Sequence, residues 1–187
     1  MKRISFIMLA LIVALTAFCR QPQRGYRGFL EWSNSLYSEP YFGYPDKRAT
    51  YFFSGASTSH GYQITPMWFI GAGLSVEYNR TQESFIVPAF LQGRADFRFG
   101  IFSPFADVRL GYSLTDGGGL YFSPSIGYRF NWGRKMGINV GVGLTVKGST
   151  HDKTDVTILP DGYITFVKVG TWHDYQSYFS FRVGFDF

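Results

Sequence analysis

The chain has 187 residues, 20% of them aromatic and 22 of them glycine, with a formal net charge of +5 and a mean hydropathy of −0.04. Lysine and arginine never form runs longer than two, so the basic footprint of a nucleic-acid-binding face is excluded. Cys19 is the lone cysteine, so an internal disulfide or thiolate metal site is excluded as well.

Lys2 and Arg3 precede an apolar run over 4–18, the basic start and apolar middle of a secretory signal peptide. The run falls short of the ~20 residues a spanning helix needs. The leader is expected to cover 1–19, with the cleavage boundary between 19 and 23. Phe18 stands where a lipoprotein signal has a small residue, so lipidation of Cys19 is not expected. The remainder, 25–187, suits one domain.

After the leader the pattern is period two, broken at intervals by Gly, Pro, Asn and Asp, which predicts strands rather than helices. The first strand is expected over 25–37, with Tyr26, Leu30, Trp32 and Leu36 on one face and Arg27, Glu31, Ser33 and Ser35 on the other. The second covers 50–60, where the two faces are hard to separate. The third, 67–79, sets Trp68, Ile70, Leu74 and Val76 against Gly71, Gly73, Ser75 and Glu77. The fourth, 85–99, puts Phe85, Val87, Leu91, Phe97 and Phe99 opposite Gln92, Arg94, Asp96 and Arg98. The fifth, 105–114, opposes Val108, Leu110 and Tyr112 to Asp107, Arg109 and Ser113; the sixth, 120–131, opposes Phe122, Ile126 and Tyr128 to Ser123, Ser125 and Arg129. The seventh is 136–147 and the eighth 176–187.

Segments of about ten residues are long enough to cross an outer membrane when tilted. Lone strands in lipid would leave backbone groups unpaired, so only a closed barrel is viable. The expected fold is therefore all-β: an eight-stranded antiparallel transmembrane up-and-down barrel with both termini periplasmic. Connections 61–66, 100–104 and 132–135 are short, as periplasmic turns should be; 38–49 and 148–175 are long outer loops, the last with its own hairpin signal around Pro160-Asp161-Gly162. A ten-stranded count would need 155–159 to span, and it is too short. Tyr26, Trp68, Phe97, Phe99, Tyr128 and Phe130 fall near one rim and Tyr78, Phe85, Tyr112 and Phe122 near the other, as two interfacial girdles would.

The polar face then becomes the lumen, which in eight strands is only wide enough for side chains to fill. Arg27, Glu31, Glu77, Arg94, Asp96, Arg98, Asp107, Arg109, Arg129, Lys147, Arg182 and Asp186 are expected to form an ion-paired plug. Gly71, Gly73, Gly137, Gly141 and Gly143 would make room for it. Between the fourth and fifth strands, charge repulsion favours the register that sets Arg98 opposite Asp107 and Asp96 opposite Arg109 over the one that sets Asp96 opposite Asp107.

The last strand, Tyr178 to Phe187, carries Phe179, Phe181, Val183, Phe185 and Phe187 at every second position and ends on phenylalanine. It resembles the terminal signature read by the outer-membrane assembly machinery. Arg24-Gly25-Tyr26-Arg27-Gly28-Phe29 and Ser59-His60-Gly61-Tyr62-Gln63, with Pro66 following, resemble the first strand and first periplasmic turn of the small OmpA/OmpX-like barrels, especially the outer-membrane β-barrel family common in Bacteroidota. The resemblance implies a bacterial outer-membrane location and handling by periplasmic chaperones and the β-barrel assembly machinery. It implies little about activity.

Candidate chemistry is thin. His151, Asp152, Asp155, His173 and Asp174 share the last outer loop but have the composition of an ordinary solvated loop. No spacing singles out Ser149, Ser177 or Ser180 as a nucleophile. His60 follows Ser57 and Ser59, a pairing found in lipid A deacylases, but its place beside a tight turn favours a structural hydrogen bond. The reading is a monomeric structural or surface-interaction barrel with a plugged lumen, without cofactor or metal, not an enzyme, and without a nucleic-acid partner. It would contact outer-membrane lipids, lipopolysaccharide, host or neighbouring proteins. The alternatives are a lipid A-modifying enzyme working from the last outer loop and a narrow solute pore.

Overall fold

The structure, a computed structural model, describes residues 24–41, 44–81, 83–97, 101–115, 118–132, 136–158 and 164–187. At 39–41, 44–49, 132, 150–158, 164–169 and 171–174 the description covers the backbone alone. The expected leader, Arg98 and Phe99 lie outside the described residues.

The alternating sequence folds into β1 (Gly25–Tyr41), β2 (Tyr44–Gln63), β3 (Trp68–Asn79), β4 (Ser84–Ile86), β5 (Pro88–Asp96), β6 (Phe102–Ser113), β7 (Gly119–Trp132), β8 (Met136–Ile158) and β9 (Ile164–Asp186). Among the described residues there is no helix. β4 and β5 are two parts of one stave, because both pair with β3 in the same register. Each stave runs antiparallel to its neighbours, and β1 pairs with β9 as well as with β2. The result is a closed, eight-stranded, up-and-down barrel.

Its stagger can be followed through partners. From Gly25 the pairing leads to Gln63, Phe69, Arg94, Asp107, Ser125, Gly143 and Ser180, then returns to β1 at Ser35, ten residues beyond the start. With a rise of about 3.3 Å per residue and strands about 4.8 Å apart, that stagger gives a tilt of about 41° and a backbone radius of about 8 Å. Such an interior holds side chains and little else.

The faces are inverted relative to a water-soluble barrel. Leu30, Trp32, Ile70, Leu91, Leu110, Ile126 and Leu144 point outward, each more than half exposed, while arginines, aspartates, serines and glutamines are buried inside. β2 reads poorly in the sequence because both its faces are built of small residues: Gly55, Ser57 and Ser59 inward, Ala56 and Thr58 outward.

Four expectations are corrected. The fourth strand is not continuous over 85–99: it breaks at Val87, since Pro88 has no N–H to donate. Thr115 bridges the break, its hydroxyl accepting from Val87 N at 2.9 Å and donating to Phe85 O at 2.9 Å. Stretches 38–49 and 148–175 are not simple loops. β1–β2 pairing continues up to Tyr41 and Tyr44, and β8–β9 pairing up to Ile158 and Ile164, because each pair carries its alternation onward. The expected turn 61–66 starts later, since β2 keeps its pairing to Gln63. Finally, Arg94 stands opposite Asp107, Gln92 opposite Arg109 and Asp96 opposite Phe105, which is neither register weighed above. Asp96 and Arg109 find partners across the lumen in Arg27 and Glu31, Arg27 also reaches Asp186 on the adjacent β9, and the observed register sets no like charges opposite each other between β5 and β6.

Candidate functional site

The buried charges form linked clusters along the lumen. At the end where the termini lie, Arg27 from β1 donates through Nε to Asp186 Oδ2 at 3.0 Å and through Nη1 to Asp96 Oδ2 at 2.5 Å and Gln63 Oε1 at 2.8 Å. Arg129 from β7 grips Asp186 with Nε at 3.0 Å and Nη2 at 2.6 Å. Arg94 donates to Asp96 at 2.8 Å and to Asn139 Oδ1 at 2.6 Å, and the Asn139 amide donates to Asp186 at 2.8 Å. Four side chains, from β1, β5, β7 and β8, thus share two carboxylates, Asp96 on β5 and Asp186 on β9.

Halfway along, Arg109 from β6 reaches Glu31 on β1 and lies 3.3 Å from Asp107. Arg182 from β9 approaches Asp107 at 3.5 Å and donates to Ser123. Gln92 donates to Asp107 and accepts from Ser59 at 2.5 Å. Further along, Ser75 donates to Glu77 at 3.4 Å, and Glu77 lies in the field of Arg182, Arg109 and Lys147. The charged residues expected in the lumen are therefore there and buried, Arg98 lying outside the described residues.

Aromatic rings complete the packing, and most were not read from the sequence. The Arg94 guanidinium lies 3.7 Å over the Phe105 ring and 5.0 Å from Phe29; Arg27 lies 4.6 Å from Phe29 and Arg109 4.9 Å from Phe90. Each stack offsets part of the cost of burying a guanidinium. The glycines serve these rings as well as the charges. A Cβ at Gly71 would meet the Phe69 ring at 2.7 Å and one at Gly73 the Phe90 ring at 2.7 Å, whereas one at Gly137 would meet Arg129 Nε at 2.6 Å. Parity was the available signal, because Phe29 lies two residues from both Arg27 and Glu31.

At the opposite end Phe53, Ile86 and Tyr178 are buried together, with Tyr37 and Tyr51 packed on them. The Phe53 and Tyr178 rings meet edge to face at 4.6 Å. This aromatic cluster packs inside the barrel on the side of the long hairpins.

Phe179, Phe181, Val183, Phe185 and Phe187 all face outward. The terminal residue continues the seam: Phe187 N donates to Gly28 O at 3.0 Å and accepts from Gly28 N through its own carbonyl at 2.9 Å. Its ring covers Gly28 so closely that a Cβ there would sit 2.7 Å from it. Beside it His60 is bonded to the Tyr26 hydroxyl at 2.6 Å and to Thr58 at 3.1 Å. Ser57 and Ser59 point into the lumen while His60 points out, so strand alternation separates that histidine from both hydroxyls. The side chains of His151, Asp152, Asp155, His173 and Asp174 lie outside the described residues. No protein-family model matches the chain, and no curated protein matches it.

Proposed function

We propose that this chain is an integral outer-membrane β-barrel, its lumen plugged, with a structural or surface-interaction role exerted through its long hairpins. The observation that carries this reading is the exchange of inside and outside. Apolar side chains cover the exterior and paired charges fill the interior. Water-soluble monomers rarely expose apolar patches beyond a few hundred Å². In lipid the same surface is favourable, and closure satisfies every barrel strand without an edge.

Dimensions support it. A strand tilted by about 41° climbs about 2.5 Å per residue, so about ten residues cover the ~25 Å apolar band of such a membrane. β3, the 12-residue stave Trp68–Asn79, is long enough. Exposed Tyr26, Tyr62, Trp68 and Tyr128 sit toward one rim, and Phe85 and Tyr112 toward the other. Both termini then lie in the periplasm and the long hairpins outside. The terminal strand's resemblance to the assembly signature points the same way.

The interaction role rests on β8 and β9. Pairing to β7 ends at Lys147 and pairing to β1 at Phe179, while β8 and β9 stay paired with each other out to Ile158 and Ile164. Beyond those points neither strand has a second neighbour among the described residues, and such a ribbon stands where lipopolysaccharide or a neighbouring protein would meet it.

The test is labelling of intact cells with a membrane-impermeant thiol reagent, using Cys19→Ser as background. Asp161→Cys, between β8 and β9, is expected to label, and Ile64→Cys, in the turn after β2, only after lysis. Labelling at Ile64→Cys alone would invert the orientation, and a protein soluble without detergent would end the membrane reading.

A further inference from the structure

The cluster nearest the termini is not electrically balanced. Arg27, Arg94 and Arg129 bring three positive charges and Asp96 and Asp186 two negative ones, an excess of one cation among the described residues. All five are at most 4% exposed. The clusters beyond have no such excess: Arg109 and Arg182 face Glu31 and Asp107, and Lys147 faces Glu77.

The same three arginines hold unused donors. Arg27 spends Nε and Nη1, Arg94 spends Nε and Nη2, and Arg129 spends Nε and Nη2. Arg27 Nη2, Arg94 Nη1 and Arg129 Nη1 are left, each fully buried and without a hydrogen-bond partner among the described residues. They belong to one connected group, since Arg27 and Arg94 share Asp96 and Arg27 and Arg129 share Asp186. All three guanidinium groups act on Asp96. Unpaired buried cations and unmet buried donors are both costly, and one partner removes both costs.

That partner must be anionic and carry several acceptor oxygens. A tetrahedral oxyanion meets planar guanidinium forks in this way, whereas a halide supplies charge without directed acceptors. The approach is fixed by position. Gln63, Asp96 and Asp186 are the closing residues of β2, β5 and β9, and Arg27 is the third residue of β1, so the cluster lies just inside the rim at the termini. The far end is occupied by the packed rings of Phe53 and Tyr178.

We propose that this end of the lumen is a binding site for a small phosphate-like oxyanion, held by Arg27, Arg94 and Arg129. The site follows from the lumen geometry and does not rest on the membrane reading. The ligand chemistry has two sources, free phosphate and a phosphodiester headgroup.

The folded, full barrel in phospholipid-free detergent and phosphate-free buffer is titrated with inorganic phosphate, with dimethyl phosphate as headgroup mimic, and with sodium chloride at matched ionic strength. Binding is read by calorimetry and by the temperature at which the barrel loses its heat-resistant gel form. Saturable binding of one phosphate per chain is expected, with a rise in that temperature that chloride does not reproduce. Arg94→Gln should weaken binding about tenfold or more, whereas Arg109→Gln, in the balanced cluster, should leave it within about twofold. Binding of inorganic phosphate alone assigns the free ion, and equal binding of dimethyl phosphate assigns the headgroup; either supports the site. Absence of saturable binding of both to the wild-type barrel overturns it, a result independent of whether the variants fold. Equal weakening by the two substitutions overturns it too.

Discussion

At the scale of single residues, the barrel depends on charges that have partners and rings that have seats. Arg109→Met strands Glu31 in the lumen, and breaking a buried pair in this way costs about 3–5 kcal/mol. Adding Glu31→Leu removes the stranded charge. The double variant is expected to recover most of the loss in urea unfolding of the detergent-folded protein; a double variant as weak as the single one would show that the pair is not the source. Phe187 and Gly28 form a second pair. Gly28→Val places atoms where the ring lies and should lower the unfolding temperature by several degrees. In Phe187→Ala the same change at Gly28 should cost little, a coupling read by a double-mutant cycle. Deleting Phe187 should also reduce outer-membrane assembly far more than Phe179→Ala, since Phe187 ends the terminal signature and packs on Gly28, whereas the Phe179 side chain faces outward at the other end of the β1–β9 ladder. The lumen charges were legible in the sequence because a charge between apolar neighbours fixes the parity of its strand. Phe29, Phe69 and Phe90 were not, because an aromatic suits either face of such a barrel, the bilayer or the back of a guanidinium.

Strands were legible where their faces contrast and blurred where they do not. β6 and β7 alternate bulky apolar with polar residues and fall close to their expected limits. β2 has small residues on both sides, and its start was misread. Register was out of reach for a different reason. The argument from repulsion between adjacent strands presumes that neighbours are the only partners, yet Arg109 finds Glu31 from β6 to β1 and Arg27 finds Asp96 from β1 to β5. The ribbon was half legible: the Pro160-Asp161-Gly162 turn was evident, but not the continuity of its arms with the barrel. Because the ladders to β7 and β1 stop at Lys147 and Phe179, replacing 149–174 by a two-residue turn should leave the barrel's stability within about 1 kcal/mol. Thermal gel shifts of the shortened protein check this, and loss of the folded form would mean that the ribbon is part of the barrel's own stability.

For the whole molecule, eight staves and a ten-residue stagger decide what passes through. An interior of about 8 Å backbone radius, crossed by Arg109–Glu31, Arg27–Asp96 and Arg94–Asn139 and with Phe53 and Tyr178 packed at one end, argues against the passage of a sugar. Liposomes holding the protein should swell no faster in a sugar gradient than empty ones; rapid swelling would indicate an open channel. The strand count was legible because an even number of roughly ten-residue alternating segments, each bounded by turn residues, leaves few choices. The stagger was not, since it accumulates from eight registers and any one slip changes it. The long β8–β9 ribbon has a mechanical consequence. A tug on its tip, directed away from the barrel, runs along β8 and β9 and so across the hydrogen bonds that join them to β7 and β1. Those rungs carry the load side by side, like a lap joint, instead of parting one after another like a zipper. With Phe187 seated on Gly28 at the far end of β9, a pull on the tip would load the full length of two seams at once.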